Sequence, residues 1–135
     1  TQIFDQVIIA VAEDSEKIPL FNITKRKKMI TESTHNIKRT KVESFNGLLV
    51  EYADSKDAIS IIRGLRVLSD FEYEFKMALM NRSLNQNIVT VFLMPHEKYT
   101  HLSSSLVREV SRLNGDVSNF VPKCVLKSLI ERFSD

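Results

Sequence analysis

The sequence of 135 residues predicts an α/β fold in which a parallel sheet carries helices on both faces. The prediction rests on short apolar runs that alternate along the chain with segments of helical periodicity. These apolar runs are continuous, a pattern typical of strands covered on both faces, as in a parallel sheet. A chain of this length is expected to form one domain, residues 1–135, with enough surface to bury a core.

Four segments are predicted as strands. The clearest are Val7–Ala12 and Ile88–Met94, and the second of these ends at Pro95. A weaker strand is expected at Lys41–Ser44. Ile59–Ile62 is a short apolar run that leads directly into a pair of arginines.

Helices are predicted between and after the strands. Their expected ranges are 22–34 or 24–34, 48–55, 69 onward, 103–113 and 122–133. Ser69 and Glu72 form a capping box at the start of the third helix. The apolar positions of that helix fall on one helical face: Phe71, Phe75, Ala78 and Leu79.

Composition and charge restrict the function. The net charge of +2 is too small to indicate a nucleic-acid binder, and no apolar run approaches the ~20 residues that span a membrane. One cysteine, Cys124, cannot form an internal disulfide, which favours a reducing compartment, the cytoplasm. The basic run at 25–28 is expected to be a solvated face, because four adjacent residues cannot all line one site.

Arg63 and Arg66 are the first candidate ligand-binding residues. They flank Gly64 and Leu65 at the end of a predicted strand, where α/β sheets bind ligands. A guanidinium is a planar fork of donors that matches phosphate oxygens. Two arginines alone would more often be solvated surface charges.

The serine triplet at 103–105 is a second candidate. It opens a predicted helix, and free N–H groups at a helix N-terminus bind anions. The simpler alternative is that one serine only caps the helix. The three histidines lack the spacing of metal ligands, so no side-chain metal site is predicted.

Residues 63–82 read RGLRVLSDFEYEFKMALMNR. They closely resemble the signature of the bacterial phosphopantetheine adenylyltransferase family, RGLRxxSDFEYExxxAxMNR. Further matching motifs follow the family order over nearly the whole chain: FDQVIIAVA at 4–12, KIPLF at 17–21, GLLV at 47–50, VFLMP at 91–95, SSSLVREV at 103–110, GDV at 115–117 and FVP at 120–122. The resemblance implies a Rossmann-like fold of the nucleotidyltransferase superfamily.

The resemblance also implies the reaction and its ligands. The family transfers an adenylyl group from ATP to 4′-phosphopantetheine, giving dephospho-coenzyme A and pyrophosphate in coenzyme A biosynthesis. By resemblance, the pantetheine substrate is bound by Lys17, Leu49 and Arg63. The positions implied for ATP are Gly64, Leu65, Arg66, Glu74, Tyr99, Thr100, His101, Leu102, Ser103, Ser104 and Ser105. Taken alone, Glu74 would be a surface i,i+4 partner.

Other expectations come from the same resemblance. Mg²⁺ would arrive with ATP and be bound through its phosphates. Coenzyme A is a further expected ligand, the expected assembly is a homohexamer, and neither nucleic acid nor membrane is an expected partner. Asn81 and Arg112 are weaker candidates near the triphosphate.

One family segment has no counterpart in these 135 residues. The family opens with a strand and a turn of the form G-(S/T)-F-D-P-x-T-x-G-H, whose histidine steadies the transferring phosphate. No catalytic residue is therefore predicted within the chain. We expect an N-terminally incomplete sequence, and a sheet that lacks the family's first, normally central, strand.

Two alternatives remain open from the sequence. One is a related nucleotidyltransferase with another phosphate acceptor. The motif from Lys17 to Pro19 disfavours it, because that motif resembles the pantetheine enzyme specifically. Tight binding of dephospho-coenzyme A would distinguish the two enzymes. The other is a non-catalytic module that binds nucleotide or coenzyme A, and a G-x-F-D-P-x-x-x-G-H segment upstream of Thr1 would decide against it.

Overall fold

The computed structural model describes residues 1–14, 18–66 and 68–134. Strands and helices alternate along the chain, which confirms the predicted α/β class. In order, the elements are β1 (Val7–Ala12), α1 (Ile23–Thr34), β2 (Thr40–Phe45), α2 (Leu49–Ser55), β3 (Ser60–Gly64), α3 (Leu68–Leu84), β4 (Val89–Leu93), a 3₁₀ turn (Glu97–Tyr99), α4 (Ser104–Arg112) and α5 (Lys123–Phe133).

The described strands form two parallel pairs. β1 pairs with β2, with Val7 opposite Thr40, and β3 pairs with β4, with Ser60 opposite Val89. Each pair belongs to a separate compact unit: the first comprises residues 1–45 and 102–134 as far as described, and the second comprises residues 46–101. The parallel pairing confirms the prediction, but the described strands do not form one continuous sheet, because each has a single neighbour. That residues 1–135 make one domain stays a prediction.

In the first unit, helix α1 packs on β1 and β2. Its N-cap is Asn22, whose Oδ1 accepts a hydrogen bond from the amide of Lys25 at 2.9 Å. The prediction of a solvated basic face is wrong for Arg26, which is half-buried and donates from Nη2 to the carbonyl of Ala12 at 2.9 Å. The physical reason is that α1 lies against the sheet, so the side chain reaches the end of β1.

Helices α4 and α5 complete the first unit. α4 ends at Arg112; Asn114, two residues later, takes the left-handed conformation with φ of 59°, while the amide of Gly115 donates to the carbonyl of Val110 at 2.9 Å. The predicted stop therefore lies where expected, with asparagine as its left-handed residue. α5 begins after Pro122 and buries Leu129.

The second unit has a small core formed where α2 meets β3 and β4. Its members are Val50, Ala53, Ile61 and Ile88, with Leu49 and Ala58 packed against them. Val50 is the most deeply buried, with 1% of its surface exposed. Burying such side chains supplies the hydrophobic stabilisation of this unit.

Helix α3 exposes much of the apolar face that its periodicity indicates. Phe71, Phe75 and Leu79, predicted to share one helical face, are 46%, 44% and 54% exposed. The rings of the two phenylalanines stack with centroids 5.5 Å apart. The reason is that apolar residues also lie on other sides of the helix, Tyr73 and Met77 among them, so the sequence pattern does not select one face. The side chain of Ser69 in the predicted capping box lies outside the described residues.

Within the described residues, no helix has the length and hydrophobicity needed to cross a membrane.

Candidate functional site

The carboxyl ends of β3 and β4 lie side by side in the second unit. Gly64, the last residue of β3, is opposite Leu93, the last residue of β4. The amide of Leu65 donates to the carbonyl of Leu93 at 3.0 Å, which extends the pairing by one bond. Residues that follow both strands therefore emerge at one sheet edge, where α/β folds bind ligands.

Arg63 is held by Glu74 at this edge. Nε of Arg63 donates to Oε2 of Glu74 at 2.7 Å, and Nη2 donates to Oε1 at 2.6 Å. The arginine side chain is 42% exposed, whereas the glutamate side chain is only 13% exposed. The hydrogen bonds that Arg63 donates to Glu74 raise the pKa of Arg63 above its ordinary value, and burial partly opposes this shift. This is a bidentate, charge-assisted pair.

Arg66 makes a similar pair with Asp70. Its Nε lies 3.0 Å from Oδ2 and its Nη2 lies 3.3 Å from Oδ1. Asp70 and Glu74 are four residues apart on α3, so they share one face of that helix. One face of α3 thus presents a carboxylate to each arginine, and these two carboxylates orient both guanidinium groups.

The pairing leaves part of Arg63 available. Glu74 occupies the edge formed by Nε and Nη2, and among the described residues the Arg63 side chain has no other hydrogen bond or ion pair. A guanidinium has five N–H donors. Three remain, two on Nη1 and one on Nη2, and they form a second planar fork that fits two oxygens of one phosphate.

Tyr99, Thr100 and His101 follow β4 in the chain and belong to the second unit. The Tyr99 ring is 43% exposed, lies edge-on to His96 with centroids 6.4 Å apart, and carries Nζ of Lys98 4.7 Å from its centroid. An exposed ring of this kind can stack on a nucleotide base. Leu49 is partly buried against the core of the same unit.

The serine triplet lies in the first unit. Ser103 is the N-cap of α4: its Oγ accepts from the amide of Leu106 at 3.1 Å and lies 3.1 Å from Oγ of Ser105. Capping is thus established, and the first amides of α4, those of Ser104 and Ser105, have no acceptor within the helix. Leu102 precedes the cap and is half-buried.

The structure therefore groups part of the predicted set. In the second unit, Arg63, Gly64, Leu65 and Arg66 lie at the carboxyl end of β3, and Glu74 of α3 is bonded to Arg63; Tyr99, Thr100 and His101 belong to the same unit and follow β4 in the chain. The positions Leu102 to Ser105 belong to the first unit. Lys17 lies outside the described residues. Of the weaker candidates, Asn81 is buried and Arg112 is exposed.

Sequence reasoning did not single out Asp70 or the true partner of Glu74. The signal was present, because Asp70 lies four residues after Arg66 and four before Glu74. Among the described residues, no cluster of three or more His, Cys, Asp or Glu side chains is arranged to hold a metal ion.

Comparison with known proteins gives consistent results. A family model described as cytidylyltransferase-like matches residues 1–110. A phosphopantetheine adenylyltransferase of Caldanaerobacter subterraneus subsp. tengcongensis is 49% identical over 131 residues, 97% of this chain and 82% of the relative. A protein of the same name from Geotalea daltonii is 49% identical over 133 residues, covering 98% of this chain and 83% of the relative.

Proposed function

Because this chain belongs to the cytidylyltransferase-like family and, within it, to the phosphopantetheine adenylyltransferases, we propose that the edge carrying Arg63 and Arg66 binds its two phosphate-bearing substrates. The protein is a nucleotidyltransferase of coenzyme A biosynthesis. It transfers an adenylyl group from ATP to 4′-phosphopantetheine and releases pyrophosphate.

The reaction requires little covalent chemistry from the protein. An oxygen of the acceptor phosphate attacks the α-phosphorus of ATP, a new P–O bond forms, and the bond from that phosphorus to the bridging oxygen of pyrophosphate breaks. The obstacle is to hold two polyanions close together and in line. Fixed donors that neutralise and orient phosphates supply most of the help a protein can give to such a transfer.

We assign the acceptor phosphate to Arg63. The observation that carries the proposal is the fork of Nη1 and Nη2 donors left over when Glu74 holds the other edge of the guanidinium. Arg66, on the same turn and directed by Asp70, is assigned to ATP together with Gly64 and Leu65. Because the amide of Leu65 is engaged by Leu93, that residue would contribute through its side chain or carbonyl.

Further contacts to ATP are proposed for the remaining positions. Tyr99 offers an exposed ring for the adenine, with Thr100 and His101 next to it. The free amides at the start of α4 suit a phosphate, which favours Ser103, Ser104 and Ser105 with Leu102 before them. Lys17 and Leu49 are proposed for the pantetheine substrate, and Glu74 is considered further below.

Mg²⁺ is proposed to enter with ATP. No convergent set of acidic side chains is present in the described part of the chain, so the residues present do not fit a resident metal site. The phosphates of ATP and water are suitable ligands for Mg²⁺, which keeps much of its hydration. A homohexamer, a cytoplasmic location and binding of coenzyme A also belong to the proposal.

Titration calorimetry with two variants tests the assignment. Arg63→Ala should weaken 4′-phosphopantetheine binding, and Arg66→Ala should weaken ATP binding, each by roughly 1.5–3 kcal/mol for a lost charge-assisted contact. Lys76→Ala is a matched control, because it removes an exposed cation that pairs with Glu72 on α3. If both arginine variants bind both ligands as the control does, the proposed site is wrong.

A further inference from the structure

Glu74 is placed to serve Arg63 in preference to a ligand. Its side chain is 13% exposed, and both of its carboxylate oxygens accept hydrogen bonds from Arg63, at 2.7 and 2.6 Å. Glu72, two residues earlier on α3, is the exposed i,i+4 partner of Lys76, with its side chain 78% exposed. Of these two glutamates, one is therefore exposed to solvent and the other is paired with the arginine.

In this arrangement the strongest contact of the carboxylate is with the arginine. Each oxygen of Glu74 accepts one short charge-assisted bond and has one further lone pair for a donor such as a ribose hydroxyl or an adenine amine. Phosphate oxygens would be repelled by it. The family resemblance gives Glu74 to ATP, whereas its contacts in this chain point to the arginine.

We propose that Glu74 is a positioning residue that holds one edge of the Arg63 guanidinium, so that the opposite fork of donors is fixed for the phosphate of 4′-phosphopantetheine. This inference rests on the proposed role of Arg63. An arginine side chain that moves freely must lose rotamer entropy when it binds a phosphate. Glu74 orders the side chain of Arg63 before the ligand binds, so less rotamer entropy is lost on binding.

The negative charge of Glu74 acts in the opposite direction. It reduces the long-range attraction of Arg63 for a phosphate, because the guanidinium is then part of a neutral pair. In a variant that keeps the shape of Glu74 but loses its charge, the lost ordering of Arg63 lowers the affinity for the acceptor, whereas the lost negative charge raises it. If ordering dominates, such a variant binds the acceptor more weakly; if charge dominates, it binds the acceptor more tightly.

The experiment measures three ligands by titration calorimetry: 4′-phosphopantetheine, pantetheine without its phosphate, and ATP. Glu74→Gln should weaken binding of the phosphorylated acceptor about tenfold, because an amide presents one acceptor to a fork that needs two. Binding of pantetheine and of ATP should change less than about threefold, as their contacts do not depend on this arginine edge. Glu74→Asp, which keeps two oxygens, should recover part of the lost affinity. Glu72→Gln should match the wild type.

Several results would overturn the inference. Weaker ATP binding with an unchanged acceptor would make Glu74 a nucleotide ligand, and tighter acceptor binding would make it a competitor of the phosphate. An equal loss for pantetheine and its phosphate ester would indicate a purely structural role. Arg63→Ala distinguishes a failure of this inference from a failure of the proposed function. If Arg63→Ala weakens acceptor binding and Glu74→Gln does not, only the inference about Glu74 fails. If Arg63→Ala has no effect, the proposed function of that residue fails.

Discussion

Replacing Arg63 by Ala should destabilise the fold in addition to weakening ligand binding. From the sequence, Arg63 is a surface cation whose removal would leave folding nearly unchanged. In the structure its removal leaves Glu74 with a side chain that is only 13% exposed and two oxygens without their donors. An ionised group in that position has lost most of its water and has no compensating partner.

The magnitude follows from the exposure of the two partners. Leaving a buried charged group unpaired costs about 1–3 kcal/mol or more, but Arg63 itself is 42% exposed, so water can enter the space it leaves. We therefore expect a loss of roughly 1–2 kcal/mol in the free energy of unfolding. The exposed pair of Glu72 and Lys76, 78% and 70% exposed, should contribute no more than about 0.5 kcal/mol.

Urea unfolding followed by circular dichroism measures both effects. The set contains Arg63→Ala, Lys76→Ala, Glu74→Gln and the double variant Arg63→Ala with Glu74→Gln. The double variant should be more stable than Arg63→Ala alone, because a neutral amide tolerates the site better than an unpaired carboxylate. Equal losses for Arg63→Ala and Lys76→Ala, or a double variant whose loss relative to the wild type equals the sum of the two single losses, would refute the reasoning.

Two further predictions concern the first unit. A Cβ on Gly115 would lie 2.5 Å from Cγ1 of Val110, so Gly115→Ala should lower the free energy of unfolding by about 1–3 kcal/mol, and adding Val110→Ala should restore part of it in urea unfolding. No recovery would contradict the steric reason. The amide of Ser118 donates to Asp116 at 2.8 Å and lowers the pKa of that carboxyl below its ordinary 3.8. This contribution to stability is present above the ordinary pKa and is lost as pH falls through the pKa of Asp116 in the folded protein. The free energy of unfolding of the wild type should therefore be larger than that of Asp116→Asn from about pH 5 upward, and the two should be equal at low pH. A difference that does not change with pH would contradict this.

The order and type of the elements could be predicted because each has a local cause. The short continuous apolar run at Val7–Ala12 is typical of a covered strand, and Asn22 caps α1 through its own side chain. Burial was harder to predict. Phe71 and Phe75 lie on a helix that mixes apolar and charged residues on several sides, so no periodicity distinguishes a core face from an exposed one. The partial burial of Arg26 could not be predicted, because a run of charges carries no information about the element that packs against it.

The site could be predicted by residue type but not by contact. The spacing of Arg63 and Arg66 at the end of a strand indicates phosphate binding, and both residues lie at the sheet edge. Their partners depend on where α3 begins and on the angle at which it leaves the turn, which no local pattern specifies. Glu74 is eleven residues from Arg63, and because Arg63 lies on β3 and Glu74 on α3, no helical spacing relates the two. Only the folded turn brings the two together.

The contacts also give a physical reason for the acidic residues that follow the two arginines. An arginine on an exposed turn has many rotamers, and a phosphate site needs few. Asp70 and Glu74, one helical turn apart on α3, each hold one guanidinium by a single edge, and Arg63 keeps its second fork of donors. Since the intervening Glu72 faces solvent and pairs with Lys76, negative charge on this helix is not sufficient by itself. What distinguishes Asp70 and Glu74 is their position on the face that meets the turn, so a carboxylate moved by one residue should lose the effect although composition and net charge are unchanged.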